Sequence, residues 1–170
     1  MAVLDSLTAR LRYRAVLPFI EQAERLKNRL LILDAGGGAG SFSRLLKERG
    51  HDVVVADLEN GDVRVNLEEK LPFPDSSFDL VVSLAVVEHL YSWKQALEEF
   101  KRVARIGVVA TSPTPLAKPL LELLAGLRLV NREHIKNHKV YLRAEDFESL
   151  GYSTSTFLLG LNRVAVWWRR

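Results

Sequence analysis

Apolar and polar positions along this chain switch repeatedly between two periods. Leu30–Asp34 is an apolar run of buried-strand length, and Asp52–Ala56, Phe78–Ser83 and Ile106–Ala110 repeat it. Between these runs the spacing becomes helical. Ser41–Arg49 starts on a capping-type serine and stops at Gly50, and a further helix is predicted over Trp93–Ala104. Upstream, Ala15–Arg29 reads as a helix with Pro18 in its first turn, where the missing N–H costs nothing. A short acidic link leads into a brief strand at Val63–Val65. Downstream, Pro113, Pro115 and Pro119 break up the connection, Leu116–Leu127 has helical spacing, and Arg143–Leu150 reads as a helix stopped by Gly151. Two closing strands, Ser155–Leu159 and Arg163–Trp168, flank Gly160-Leu161-Asn162, a loop of hairpin length. This alternation predicts an α/β fold: a doubly wound sheet, mostly parallel, with a C-terminal antiparallel hairpin.

Chemistry concentrates where the first strand ends, in Leu33-Asp34-Ala35-Gly36-Gly37-Gly38-Ala39-Gly40-Ser41. Glycine is needed where the backbone takes positive φ or a ligand approaches the main chain closely. At a helix N-terminus such a turn predicts a nucleotide-sized notch lined with free N–H groups. Gly36, Gly38 and Gly40 read G-x-G-x-G, and Ser41 stands where a dinucleotide fingerprint has its third glycine. No Lys-Ser or Lys-Thr pair follows, which excludes a P-loop. Asp34 adds a carboxylate facing the notch. It repels phosphates but suits a ligand carrying an ammonium or sulfonium group.

Asp57 ends the second strand beside this notch, where a carboxylate accepts hydrogen bonds from ribose hydroxyls. Asn66 and the Leu67 backbone lie where an adenine edge would be read, with Leu58 and Leu67 as apolar walls. The glycine turn, the run from Leu71 to Ser83 (LPFPDSSFDLVVS) and the following Glu88-His89-Leu90 resemble class I S-adenosylmethionine-dependent methyltransferases of the type-11 family. The resemblance implies a Rossmann-like fold in a single domain over residues 1–170. Residues 1–29 would form an N-terminal helical segment, 30–112 the cofactor-binding half and 113–170 the acceptor side. It implies S-adenosylmethionine as cofactor, held by Asp34, Ala35, Gly36, Gly37, Gly38, Gly40, Asp57, Leu58, Asn66, Leu67 and Ser83. Two departures stand out. The usual helix between the second and third strands is missing, and Asn66 replaces a common aspartate.

Methyl transfer displaces an activated sulfonium in line, so the protein chiefly positions and desolvates the reactants. Ser83-Leu84-Ala85-Val86 carries no Asn-Pro-Pro-Tyr-type amine-methylating motif, and no pair of acids near the fifth strand has metal-ligand spacing, so no metal is expected. No catalytic residue is assigned; His89 and His134 are the candidates for a base, while His51 reads as a surface residue. Tyr13, Tyr91 and Tyr141 either line an acceptor pocket or pack, and Trp167 and Trp168 point to opposite faces of the last strand.

Composition sets outer bounds. With 48% apolar and 26% charged residues the chain is ordinarily globular, and without cysteine it has no disulfide or thiolate chemistry. Lacking an apolar block for a signal peptide or a span, it is expected to be cytoplasmic. Acids dominate from Asp57 to Asp79, whereas Lys and Arg dominate from Lys101 to Arg143. That asymmetry favours a small, anionic acceptor entering beside His89 and the Thr114–Tyr141 segment; nucleic acid is possible but less favoured, and the oligomeric state is open. A cofactor-binding, non-catalytic partner protein is the alternative function. A nicotinamide-dependent oxidoreductase is disfavoured by Ser41 and the terminal hairpin.

Overall fold

Apolar side chains on both faces of each central strand make the sheet the middle layer of the molecule. In the computed structural model, which describes residues 3–38, 40–127 and 129–170 but not the side chains of Val3, Asp5, Arg132 and His134, seven strands form one sheet. Along the chain lie α1 (Val3–Glu24), β1 (Leu31–Ala35), α2 (Ser41–Glu48), β2 (Asp52–Asp57), β3 (Val63–Arg64) and β4 (Phe78–Leu84). A 3-10 turn at Val87–His89, α3 (Trp93–Val103), β5 (Ala104–Pro113), α4 (Ala117–Gly126) and α5 (Arg132–Lys136) follow. The chain closes with α6 (Ala144–Glu148), β6 (Ser153–Phe157) and β7 (Asn162–Trp168). The strand order is β3-β2-β1-β4-β5-β7-β6; β7 pairs antiparallel with both β5 and β6, and the other pairings are parallel.

Period-two alternation sorts the core into two layers. Ile32, Leu80, Val82, Val109 and Val164 face α1 and α2, where Val16, Ile20, Ala23 and Leu46 cover them. Leu33, Val81, Val108 and Ala165 face the other way, onto Leu97 and Phe100 of α3 and Phe147 of α6. Trp167 packs on the second layer and Trp168 on the first, both half-buried, so neither side of the last strand is left as a bare aromatic surface.

The expected α/β architecture and hairpin are present, with differences in detail. The first helix begins by Val3 rather than Ala15, which puts Pro18 in its interior. That proline deprives one carbonyl of its N–H partner, while the fully buried Val16, Ile20 and Ala23 on either side hold the helix to the sheet. Gly40, in left-handed conformation, is the N-cap of α2, so Ser41 is the first helical residue and caps nothing. β5 runs on to Pro113 because β7 pairs with it from Gly107 opposite Trp168 to Pro113 opposite Asn162. His51 is buried at 5% exposure instead of lying on the surface. Its Nδ1 accepts the Leu30 N–H at 3.4 Å, which places the ring proton on Nε2, 2.9 Å from Glu24. Among the described residues no helix is long and apolar enough to cross a membrane.

Asp79, at the base of β4, ties three segments together. Its carboxylate accepts the Leu31 N–H at 2.8 Å and Lys27 Nζ at 2.5 Å on one oxygen, and Arg105 at 2.9 Å on the other. Burial alone would raise its pKa, but these donors hold it below the usual carboxylate value. A depressed folded pKa stabilises the protein above the unfolded value of about 3.9, and the contribution is lost as pH falls through the folded value. Asp79→Asn should therefore cost about 1–3 kcal/mol at pH 7, with the gap to wild type closing below about pH 4. Urea unfolding at pH 7 and pH 3 checks this; an equal gap at both pH values contradicts it.

Candidate functional site: a glycine-walled notch and a neighbouring cavity

β1 ends in a turn where close contacts leave no room for side chains. Gly36 has φ +81°, and a Cβ there would lie 2.5 Å from a Val86 methyl. At Gly37 it would lie 2.6 Å from the Asp34 carboxylate. At Gly38, with φ +51°, the nearest atom is Asp57 Oδ2 at 3.8 Å, so the space beside Gly38 opens outward.

Three N–H groups of the turn are engaged within the protein. Gly36 N–H donates to Ala56 C=O at 2.7 Å, Gly38 N–H to Asp57 Oδ2 at 3.1 Å and Gly40 N–H to Gly37 C=O at 2.9 Å. What the loop offers is shape and negative charge, a poor cradle for phosphate and a good one for a cationic ligand. Asp57 Oδ1 accepts the N–H groups of Glu59 and Asn60 at 3.0 and 3.1 Å, which fixes the carboxylate from its other side. Asp34 is 2% exposed and accepts a hydrogen bond from the Ser43 hydroxyl. Burial, with a smaller push from Asp57, raises its pKa to about 6 against the opposing pull of Ser43.

The other predicted notch residues divide. Ala35 closes β1, buried, and Leu58 stands exposed at the rim after β2. The Asn66 side chain closes its own turn, accepting Glu68 N–H at 3.1 Å and donating to Glu69 at 2.8 Å. Leu67 is not an apolar wall of the notch: its side chain is buried in the core beside Leu33 and Leu71. Ser83 is fully buried and donates to Ala35 C=O at 3.0 Å, tying β4 to β1 rather than facing the notch.

Next to Val86, the chain turns sharply at Ala85, whose φ of 58° is held by Ala85 N–H donating to the backbone and side-chain oxygens of Thr111. Beyond it lies a cavity of about 320 Å³ bounded by Ala85, Glu88, His89, Arg12, Ile135 and His138. Glu88 is 1% exposed, and burial raises its pKa to about 7 against the pull of its own backbone and of Arg12. Arg12 Nε and Glu88 Oε2 each lack a hydrogen-bond partner among the described residues. Burial lowers the Arg12 pKa, with Glu88 opposing.

His89, one candidate base, therefore lines the cavity from the end of the 3-10 turn. The side chain of His134 lies outside the described residues. The basic segment is a correction: Lys136 and Lys139 are exposed, Lys139 lying 5.0 Å above the Tyr91 ring, and neither borders this cavity. Its cation is Arg12, from α1. Nothing in the local sequence marks that arginine; only the contact of Tyr13 with the α2 N-terminus, its hydroxyl 2.5 Å from Ser41 and its ring 4.7 Å from Phe42, puts α1 over the site.

Parallel strands ending in a glycine turn, a ribose-type carboxylate after β2 and an antiparallel β7 between β5 and β6 define a Rossmann-like fold of the methyltransferase kind. Residues 33–110 match the family model described as a methyltransferase domain. Malonyl-[acyl-carrier protein] O-methyltransferase of Serratia marcescens is 36% identical over 118 residues, 62% of this chain and 46% of that protein. A ubiquinone/menaquinone biosynthesis C-methyltransferase of Vibrio cholerae is 31% identical over 143 residues, 71% of this chain and 54% of that one. The chain thus spans about half the length of these curated relatives. In fold it is similar to a SAM-dependent methyltransferase from Archaeoglobus fulgidus, with a TM-score of 0.69 at 17% identity over 94% of each chain. Residues 33–110 are thus similar in sequence to methyltransferases, and the chain shares the fold of S-adenosylmethionine-dependent ones.

Two predictions test the notch. Gly38→Val strains a left-handed position by about 1–2 kcal/mol and fills the opening. If Asp57 holds the ribose, Asp57→Ala removes the charge-assisted bonds it would make there, each worth about 1.5–3 kcal/mol. Calorimetric titration with S-adenosylhomocysteine should show binding lost in the first and weakened more than about a hundredfold in the second. Normal binding in both puts the cofactor elsewhere. If the cofactor's ammonium lies near Asp34, ionisation of that carboxyl would favour it, so wild-type affinity should rise with pH through about 6 while Asp34→Asn stays flat.

Proposed function

We propose that this protein transfers the methyl group of S-adenosylmethionine to a small acceptor held in the Arg12–Glu88–His89 cavity, with an anionic group of the acceptor turned toward Arg12. The observation that carries this reading is the partly buried Arg12, whose Nε is buried and unpartnered among the described residues at the wall of that cavity. Val86 separates this wall from the glycine turn, so a cofactor in the notch would present its methyl group toward the cavity. Orientation and water exclusion then supply the rate: the sulfonium is already activated, and the chain holds the nucleophile in line with it. The volume suits a small molecule or the end of a larger one. By name, one relative is a malonyl-[acyl-carrier protein] O-methyltransferase and the other a ubiquinone/menaquinone biosynthesis C-methyltransferase. They support methyl transfer without choosing the nucleophile.

Transfer of labelled methyl across matched pairs of carboxylate acceptors and their neutral esters tests the proposal. Carboxylates should be preferred, and Arg12→Met should raise their KM about 10- to 100-fold while leaving S-adenosylhomocysteine affinity unchanged, because a charge-assisted hydrogen bond is worth about 1.5–3 kcal/mol. Equal use of the esters, or indifference to Arg12→Met, defeats the anionic-acceptor reading. Tight cofactor binding with no transfer to any acceptor would favour the non-catalytic partner.

A further inference from the structure

We propose that Glu88, His89 and His138 form a binding site for one divalent transition-metal cation in the wall of the cavity. One potential ligand atom from each residue lies within 4.8 Å of the others, a spread that small side-chain movements close around a single ion. The three are brought together from places 49 residues apart in the chain, on the turn after β4 and in the segment after α5.

That segment is stapled to the turn by its backbone. Glu88 C=O accepts Lys139 N–H at 2.7 Å and Val140 N–H at 3.2 Å, so the neighbours of His138 are bound to the residue that would share the metal. On the other side, His89 Nδ1 lies 3.2 Å from Asn137 C=O. A carbonyl only accepts, so Nδ1 carries the proton and Nε2 the lone pair. His138 Nδ1 is in turn 3.0 Å from the Tyr141 hydroxyl. A second ring nitrogen anchored to a carbonyl or hydroxyl is how metal-binding imidazoles are oriented.

The second, independent observation is Glu88 itself. It is 1% exposed and its Oε2 has no partner among the described residues. Arg12 acts on it electrostatically, but the two make no contact ion pair among the described residues. A buried carboxylate oxygen without a donor is costly, and a cation ligated through it removes that cost. Two imidazoles and one carboxylate suit zinc, cobalt or nickel better than magnesium or calcium, which prefer all-oxygen shells. Three protein ligands leave coordination positions for water or for an oxygen of the acceptor. That last role rests on the methyltransferase reading; the binding of the cation does not.

Cobalt(II) is the probe. Titrated into the EDTA-stripped full chain, it should produce a visible d–d absorption that saturates at one equivalent, and zinc should abolish the band. His138→Ala and Glu88→Gln should each weaken cobalt binding more than about tenfold. S-Adenosylhomocysteine affinity, measured on the same samples, should stay at the wild-type value and report that the variants are folded. Should one variant fail that control, the other decides. Absence of a saturable band, or His138→Ala and Glu88→Gln binding cobalt as tightly as wild type, overturns the site. Loss of S-adenosylhomocysteine binding by the wild-type chain would instead count against the methyltransferase reading and leave the cobalt result standing.

Discussion

Where Gly36 leaves β1, the side chain of Val86 occupies the space a Cβ would need. This one close approach couples the turn after β1 to the turn after β4, and the two turns carry the two halves of the site. Val86 reaches that position because the chain reverses at Ala85, held by Thr111 on β5. Behind the contact, the parallel register Ile32–Leu80 to Asp34–Val82 fixes how far each strand end projects. A larger residue at position 36 would have to displace either the valine or the strand, and a packed interior yields to neither cheaply.

α1 binds the halves from above. Its lower part is anchored by Val16, Ile20 and Ala23 in the core. One turn nearer the N-terminus, Tyr13 reaches the first residue of α2, and Arg12 beside it reaches the cavity. The helix meets both the first turn of α2 and the cavity wall because neighbouring residues on a helix point about 100° apart, which sends Tyr13 and Arg12 to different targets.

The central strands were legible because strands buried on both faces need no partner to declare themselves: Leu31–Ala35 and Phe78–Leu84 are apolar at nearly every position. The glycine turn was legible for the same local reason. What the sequence hid depends on distant residues. The N-terminal half of α1 is arginine-rich and weakly amphipathic, and the cavity beside Arg12 is completed by parts of the chain far from it in sequence, Glu88 and Val130 among them. Ser83 looked like a site residue at a strand end, but which way a strand residue points is set by pairing, and its hydroxyl meets Ala35. His51 looked exposed because it follows a turn, and it is buried because Glu24, from another helix, closes over it. His138 could not be grouped with Glu88 and His89 without the backbone bonds that join their segments.

The two halves differ in charge, and the difference matches the reaction proposed for them. On the cofactor side stand the carboxylates of Asp34 and Asp57, whose mutual repulsion helps raise the pKa of Asp34. On the other side of Val86 stands Arg12, held without a contact ion pair to Glu88 among the described residues. In the proposed reaction a sulfonium would meet negative potential and an anionic acceptor positive potential. When the methyl group passes between them, the C–S bond breaks, the new bond forms, and both charges vanish into a thioether and a neutral product. A charge-cancelling step of this kind is hindered by water, which solvates the separated charges better than the spread charge of the transition state. Apolar walls such as Ile135, Val130 and Pro113 give that water few partners. Polar groups at its two ends, and apolar surface between, are the arrangement that lets binding of the charged reactants and loss of their charge proceed in the same place.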